Sequence, residues 1–524
     1  MKKIKLLFAA LVLLFFAQAQ KNNGRLSGGF ETYSQFYHKD SKINAVVPPD
    51  RIGSNNYLKL DYSYKQFTAG VQFEAYLPAV QGYPFVLNSG KLVNKYFKYQ
   101  ANNFSLQVGD FYEQFGSGLV FRSWENRQIG INNALEGANI HVSPLPFLSI
   151  KAVYGRQRKI FEYSNSNVRG LDAEIDFSKT SKTTPATRVA AGFSYISRYQ
   201  QYTGPVIDFP ATVNASSTRL DISGSTTSLS LEYVHKKRDP HDANNYDNTS
   251  GKAFLTNFSF AKNNFGAITT FRTLENLDFR SEREATQSIG QVNYIPALTR
   301  QHDYLTTNIY VYNAQRLNET GGQLDLFYNA PKGSGLGGKF GSKFSLNFST
   351  YRNHKNMDDL FSFGDEEYFH DLNLEWRKKW SEKFSTILLY QNLFYNRLVI
   401  EGEPLPDVKT NTVVLDALWK YAKKKAFRFE LQHLATRQDR GNWAALLTEF
   451  SFAPKWIFYL SDLYNYDLTG THYAVIGGSY SKGGTRFGLS YGRQRAGLFC
   501  VGGVCRFVPA ATGITATLTT TFNE

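Results

Sequence analysis

The densest group of charged side chains in the sequence lies between Asp110 and Glu136, in a stretch that also contains Trp124 and three glycines. Carboxylate and guanidinium groups that face each other across a narrow aqueous passage select solutes by charge. We interpret the stretch as a long loop folded into a pore, with arginines opposing glutamates. An ordinary solvated loop or a tall strand rim is the alternative. The predicted constriction residues are Asp110, Glu113, Arg122, Glu125, Arg127 and Glu136.

A second acidic row alternates with aliphatic residues further along the chain. Asp172, Glu174 and Asp176 are separated by Ala173 and Ile175. Because successive side chains of a strand point to opposite faces, the three carboxylates share one face. We expect that face to line a water-filled lumen. Paired charges that only solvate the wall are the alternative.

Two segments that resemble catalytic or binding motifs are rejected on their context, and the histidines match no motif. The segment 488–492 fits G-x-S-x-G, but Ser490 lies within an alternating strand and no helix follows, as a nucleophile elbow requires. The segment 333–338 with Lys339 resembles a phosphate-binding loop, but Phe340 stands where Ser or Thr would bind Mg²⁺. The nine histidines show no metal-ligand spacing. We therefore expect no enzyme, no catalytic residue, no cofactor and no metal.

Alternation with a period of two is the dominant pattern from about residue 25 to the end. In the last segment Ile514, Ala516 and Leu518 share one face, and threonines occupy the other. The chain combines 42 Phe and 33 Tyr with a mean hydropathy of −0.38. One apolar face, one polar face and abundant aromatic residues are typical of a barrel in the outer membrane.

Connections between the segments alternate between short and long. The short ones include residues 65–66, 101–103, 262–264, 381–383 and 423–425. The sequence therefore predicts a large, single-domain, antiparallel transmembrane β-barrel of about 26 strands (22–26), with short periplasmic turns and long extracellular loops. The longer connections lie near residues 39–55, 78–90, 238–250, 353–366 and 397–409.

The start of the chain indicates export. Lys2, Lys3 and Lys5 precede an apolar run, and Ala17-Gln-Ala19 is a cleavage site. We expect a signal peptide at 1–19 and a barrel domain at 20–524, in the cell outer membrane. The formal charge of +15 would suit nucleic acid, but export excludes that partner; anionic lipid headgroups or solutes fit better.

A five-residue repeat begins at Tyr154 and again at Tyr491, each time as Tyr-Gly-Arg-Gln-Arg. In the predicted topology the tyrosines lie in the outer aromatic girdle and the arginines just above it. Guanidinium groups bind phosphate in bidentate geometry, so these side chains are expected to contact lipopolysaccharide. Chance similarity, or pairing with loop carboxylates, is the alternative. The four arginines are Arg156, Arg158, Arg493 and Arg495.

The two cysteines, Cys500 and Cys505, flank a short segment before the final strand. Export passes the chain through an oxidising compartment, so we expect a disulfide that shapes an external hairpin. A metal site is the alternative, although two thiols without nearby histidines make a poor one.

Three segments carry a resemblance to a known group of proteins: 109–122 (GDFYEQFGSGLVFR), 293–302 (NYIPALTRQH) and 337–341 (GGKFG). In these segments the chain resembles an uncharacterised outer-membrane β-barrel family of the Bacteroidetes lineage. The resemblance implies location and fold only.

Fold and location together favour a non-enzymatic, porin-like channel for small polar or anionic solutes. A structural or accessory subunit of a larger outer-membrane complex, with a closed lumen and other envelope proteins as partners, is the first alternative. A barrel enzyme that acts on lipid or peptide is the second, because Ser, His and acidic side chains distant in sequence could meet in space.

Overall fold

The structure is a computed structural model, and the predicted signal peptide lies outside the residues that it describes. Within those residues, no helix is long and apolar enough to cross a bilayer. The described residues are 24–84, 87–180, 186–202, 209–286, 289–356, 359–501 and 504–523.

The alternating segments form the wall of a closed antiparallel barrel with 24 strands. Both the all-β class and the predicted range of 22–26 strands are confirmed. The wall strands are β1 Arg25–His38, β2 Ile52–Tyr64, β3 Phe67–Tyr76, β4 Gly90–Gln100, β5 Phe104–Phe111, β6 Leu135–Leu145, β7 Leu148–Lys159, β8 Asn167–Asp176, β9 Arg188–Tyr199, β10 Thr212–Ser223, β11 Thr227–Lys236, β12 Gly251–Lys262, β13 Phe265–Glu275, β14 Asn318–Ala330, β15 Ser342–Arg352, β16 Glu367–Lys379, β17 Phe384–Tyr395, β18 Val408–Ala422, β19 Lys425–Ala435, β20 Trp443–Phe452, β21 Trp456–Asn465, β22 Thr471–Lys482, β23 Thr485–Gln494 and β24 Ala511–Asn523.

Each wall strand pairs with the next one in the chain, and β24 pairs with β1 to close the sheet. At that seam Phe36 lies opposite Ile514. We call the end of the barrel that carries both chain termini the turn end, because most connections there span two to four residues. The opposite end, where most connections are longer, is the loop end.

The two faces of the wall differ as the alternation predicts. On β8, Leu171 and Ile175 are exposed on the outside, whereas Asp172 between them is buried on the inside. The outward face carries a broad band of exposed aromatic and aliphatic side chains, and the inward face carries mostly polar ones. This distribution matches an apolar solvent outside the barrel and a polar interior.

Two loop-end connections fold back into the lumen and form a core there. We call residues 112–134 the inner loop and residues 276–317 the plug loop. Both pack against inward-facing side chains of β7 to β13, with members that are almost fully buried. From the two loops this core takes Phe115, Leu119, Val120, Phe121, Leu277, Phe279, Val292, Ile295 and Ala314.

The plug loop was not among the long connections predicted from the sequence. Its polypeptide carries apolar side chains at short intervals, so its composition resembles that of the wall strands. One turn-end connection, residues 331–341, is also longer than predicted, and it contains a 3-10 turn at Gly338–Phe340.

The remaining short elements lie in the connections. An α-helix spans Arg397–Glu401, and further 3-10 turns span Phe177–Lys179 and Asp242–Asn244. The inner loop contains four two-residue strands, another follows β7, and a small hairpin precedes β24. These strands are Gln114–Phe115, Phe121–Arg122, Glu125–Asn126, Ile131–Asn132, Glu162–Tyr163, Gly497–Val501 and Val504–Val508.

Closure can be tested by cross-linking the seam. Ser34 and Ala516 are register partners on β1 and β24, so the variant Ser34→Cys/Ala516→Cys should form a disulfide under mild oxidation. The cross-linked chain is a covalent ring and should migrate differently from the linear chain after boiling. The control Ser34→Cys/Leu518→Cys is out of register by two residues and should cross-link poorly. Equal cross-linking of both pairs would contradict this register.

Candidate functional site in the lumen

A buried ion pair in the wall holds the middle and the end of the plug loop. Arg272 on β13 and Glu319 on β14 are fully buried, with 2.5 Å between guanidinium and carboxylate. Arg272 also donates to the carbonyl of Pro296, and Glu319 accepts from the Tyr312 hydroxyl at 2.6 Å. The loop is therefore tied to the wall near its middle and near its end. A charge buried in this way is tolerated only while it is paired and hydrogen-bonded.

The start of the plug loop is held by a second group of buried charges. Asp278 accepts from Arg280 at 2.7 Å and from Arg316 at 3.3 Å, and its backbone carbonyl accepts from Lys236 of β11. Burial would raise the pKa of the Asp278 carboxyl, but the two guanidinium groups outweigh it and lower that pKa. The carboxylate therefore stays ionised and joins the first and last turns of the loop.

The tip of the plug loop, residues 299–308, contacts β16, β18 and β19 inside the lumen. Arg300 pairs with Glu375 at 2.5 Å, and His302 lies 2.7 Å from Asp371. Beyond them the Tyr304 hydroxyl donates to Asp416 at 3.3 Å, and the Thr306 hydroxyl donates to Gln432 at 2.9 Å. All of these wall groups lie on the inward face. The tip is thus held mainly by polar contacts, and the segments on either side of it pack into a second apolar core against β15 to β21.

The inner loop and the plug loop also bind each other. The backbone N–H of Arg122 donates to the carbonyl of Val292, and that of Tyr294 donates to Gly118. The Arg122 guanidinium lies 4.2 Å from the centre of the Tyr294 ring, in cation–π contact. Arg122 therefore joins the two loops to each other and does not face a carboxylate across a passage.

Glycine allows the inner loop to turn close to the wall. Gly116 and Gly118 have φ of +53° and +95°, a region that L side chains rarely adopt. A β-carbon on Gly116 would lie 2.6 Å from a side-chain carbon of Arg219. The backbone N–H of Ser117 in this turn donates to Glu232 on β11. Gly116 of the inner loop therefore allows this close approach.

Glu113 and the Glu125–Arg127 pair lie inside the barrel but in closed ion pairs. Glu113 pairs with Lys151 at 3.0 Å and with His141. Burial would raise the pKa of Glu113, but these partners outweigh it and lower that pKa to about 2. Arg127 pairs with Glu125 at 3.3 Å and with Glu31 of β1 at 2.9 Å. The predicted opposition of arginines and glutamates is replaced by anchoring of the inner loop to the wall.

Asp110 and Glu136 lie on the outward face, which corrects their predicted place in a constriction. They are register partners on β5 and β6, next to the exposed Val108 in the alternation. Glu136 pairs with Lys95 at 2.9 Å and with Arg156 at 3.1 Å. Both residues belong to strands and not to the loop between them, so the alternation of the strands turns both carboxylates away from the lumen.

The acidic row on β8 faces inward, and each carboxylate has a basic partner. Asp172 pairs with Arg219 at 2.7 Å, and Glu174 and Asp176 pair with Arg188 at 2.9 and 2.8 Å. The arrangement matches the alternative in which the charges neutralise one another on the wall.

The four arginines of the repeat occupy unlike environments, which corrects the expectation of a common lipopolysaccharide contact. Arg156 alone is exposed on the outward face, beside Glu136. Arg158 is buried and pairs with Glu74 at 2.9 Å, and Arg493 pairs with Asp40 at 2.6 Å. Arg495 donates to the Ile309 carbonyl of the plug loop. At these positions β7 and β23 extend beyond the apolar band of the barrel. Loops therefore surround side chains that alternation alone would place on the outward face.

Cys500 and Cys505 form a disulfide between facing positions of the hairpin before β24. Val504 in that hairpin packs with Ile129 and Ile131 of the inner loop, and Arg506 donates to the Gln128 carbonyl. The hairpin therefore covers the inner loop from the loop end.

A cavity of about 550 Å³ remains between these loops at the loop end. Its polar wall is the pair Glu74–Arg158, and its aromatic wall includes Tyr57 and Tyr83. Within the described residues no group of His, Cys, Asp and Glu is arranged to hold a metal ion.

The wall is covered unevenly. Inward-facing Val168, Ile196 and Val234 on β8, β9 and β11 are fully buried by the two loops. On β23 and β24, inward-facing Ser490 and Thr515 remain partly exposed. A polar strip of wall on β23 and β24 is thus left partly exposed.

The plug anchors were not among the residues singled out from the sequence. Each wall member is one polar residue in an alternating strand, and Arg300 and His302 were noted only for the resemblance of their segment. The available signal was the run of charges that begins at Asp278 in a segment too apolar for an ordinary loop.

Removing one partner of the buried pair should destabilise the barrel strongly. Arg272→Met leaves the Glu319 carboxylate buried and unpaired, which costs about 3–5 kcal/mol. The midpoint of the heat-induced gel shift should fall markedly and recover in Arg272→Met/Glu319→Gln. Lys59→Met breaks the exposed pair with Asp61 as a control and should cost under about 1 kcal/mol. Equal midpoints for Arg272→Met and the control would contradict an anchoring role.

No curated protein matches the sequence. Among solved structures, the chain is similar to the translocation pore of the P pilus usher PapC, with 8% identity, TM-score 0.44 and coverage of 95% of this chain and 99% of the other. It is also similar to a BenF-like porin from Pseudomonas fluorescens Pf-5, with 12% identity, TM-score 0.38 and coverage of 80% and 99%. OccK3 (OpdO) of Pseudomonas aeruginosa gives 12% identity, TM-score 0.37 and coverage of 81% and 99%.

The expected Bacteroidetes lineage stays a prediction. A family model matches residues 1–522, which is nearly the whole chain, and the protein therefore belongs to the family of unknown function DUF6029.

Proposed function

We propose that the protein is an outer-membrane channel for small polar solutes, held in a narrowed conformation by its own plug loop. The closed sheet with an apolar outward band supports a membrane location, because lipid tolerates only backbone whose hydrogen bonds are satisfied within the protein. On this proposal residues 1–19 are a removed leader, residues 20–524 form the barrel, and the turn end faces the periplasm.

The observation that carries the channel proposal is the difference between the tip of the plug loop and the rest of that loop. The rest of the loop packs into apolar cores, one against β7 to β13 and one against β15 to β21. The tip binds the wall mainly through polar contacts such as Arg300–Glu375 and His302–Asp371, and Tyr304 adds a small apolar contact with β17 and β18. Polar contacts can be exchanged for water at low cost, whereas apolar cores cannot. The tip is therefore the part that moves when the passage widens.

The partly exposed strip on β23 and β24 suits small, uncharged or weakly charged polar solutes. Ser490 and Thr515 offer hydroxyl groups to the partly exposed strip. The acidic row and the inner-loop charges are already paired, so they contribute little net field. A preference for anions, which the total charge suggests, thus has less support than a preference for polar solutes of low charge.

A second candidate is an accessory subunit with a permanently closed lumen, bound to other envelope proteins. The fully buried pairs Arg272–Glu319 and Arg198–Asp239 support it, because both arginines also donate to carbonyls of the plug loop and so fix that loop to the wall without access to water.

Conductance in planar bilayers distinguishes the two candidates. We expect small, infrequent steps from the intact protein and larger, more frequent steps from Arg300→Ala/His302→Ala, which frees the plug tip. Each 1.4 kcal/mol of anchoring lost should raise the open population about tenfold. Lys379→Ala/Glu382→Ala removes a pair of opposite charges at the turn end and should behave like the intact protein.

Silence from both the intact protein and the tip variant, with both folded by heat-modifiable mobility, would favour the accessory subunit. Recovery of the native protein as a soluble periplasmic species would contradict the membrane location and both candidates with it.

A further inference from the structure

The two ends of the barrel carry different charge. Connections at the loop end mix acids and bases. At the turn end, the described connections carry lysines and a single carboxylate, Glu382. The lysines in these connections are Lys65, Lys179, Lys332, Lys339, Lys383, Lys423, Lys424 and Lys455. The adjoining strand ends carry Lys262, Lys378, Lys379, Lys425 and Lys482, and one carboxylate, Asp176.

Tryptophan is concentrated at the same end. Trp380, Trp419 and Trp456 are about half exposed, and Trp376 lies two residues from Lys378 on the outward face of β16. The Lys378 ammonium is 5.8 Å from the Trp380 ring centre. Lysine and tryptophan together are typical of the boundary between lipid tails and headgroups.

An apolar groove of about 390 Å³ opens on the outward face of β13 to β17 just above these lysines. Its lining includes Phe265, Tyr328, Phe344, Trp376 and Leu388. The indole N–H of Trp376 is buried and, among the described residues, meets no hydrogen-bond acceptor. A buried donor without a partner is costly, so the ring is expected to turn its N–H toward an acceptor that enters the groove.

We propose that this groove binds an anionic diacyl phospholipid of the leaflet at the turn end. One acyl chain lies in the groove, an ester carbonyl accepts from the Trp376 indole, and the phosphate lies among Lys332, Lys339 and Lys378. The turn 331–341 carries two of these lysines and joins β14 to β15, which both line the groove. Lys378 donates to the Gly337 carbonyl at 2.7 Å, which fixes this turn beneath the groove.

Charge complementarity selects this occupant. A neutral phospholipid satisfies the groove and the indole but leaves the lysines without counter-charge. A basic segment beside a bilayer is attracted to anionic headgroups and not to zwitterionic ones. The inference rests on the proposed membrane location, and it is independent of whether the lumen conducts.

The test uses the full-length mature protein in detergent, with spin-labelled phosphatidylglycerol or phosphatidylcholine as probe. We expect the intact protein to immobilise phosphatidylglycerol more strongly than phosphatidylcholine. Lys332→Gln/Lys339→Gln/Lys378→Gln should reduce that preference at least about fivefold. The matched variant Lys42→Gln/Lys237→Gln/Lys355→Gln removes the same charge from exposed sites at the loop end and should keep it.

Trp376→Phe keeps the ring but removes the donor, so it should weaken retention of both lipids and leave their ratio unchanged. Each variant must show heat-modifiable mobility, so that loss of folding is seen separately. Equal immobilisation of both lipids by the intact protein, or an equal loss in the two lysine variants, would overturn the lipid site. Recovery of the protein outside the membrane would instead remove the proposed function on which the site rests.

Discussion

A closed sheet of 24 strands encloses more space than its own side chains can fill, and this constraint governs the structure. The interior must hold water or polypeptide. Here the chain supplies its own filling from two loop-end connections rather than from a separate domain. Because the filling enters among polar wall residues, it must bring partners for them. The ion pairs of the plug loop and the inner loop are the consequence of putting polypeptide into a polar lumen.

The fold followed from the sequence because alternation and connection length are local signals. The plug loop did not, since its identity depends on contacts between residues far apart in the chain. Arg272 and Glu319 are 47 positions apart, and neither differs in type from an ordinary lumen residue. The inner loop was recognised by its charges and glycines, but the partners of those charges come from β1, β6 and β7. Sequence spacing carries no information about such pairings.

The errors at the candidate site have a common physical cause. Asp110 and Glu136 were grouped with the inner loop, but each still belongs to a strand and keeps the strand's alternation. Arg158 and Arg495 follow the alternation in sequence, but they lie above the wall, where surrounding loops replace lipid. The boundary between wall and loop therefore decides what each residue contacts, and that boundary is the least certain feature of a sequence-based assignment.

The central claim is that the tip of the plug loop lies inside the lumen, against β19. Cross-linking in native membranes tests it most directly with Thr306→Cys/Gln432→Cys, because the native side chains form a hydrogen bond of 2.9 Å. Since cysteine is shorter than glutamine, we predict a cross-link with a short bifunctional thiol reagent in intact membranes, detected as a shift in mobility of the boiled chain. A free thiol pair in a folded barrel, with Thr306→Cys modified by a bulky reagent added from outside, would contradict a plug inside the lumen.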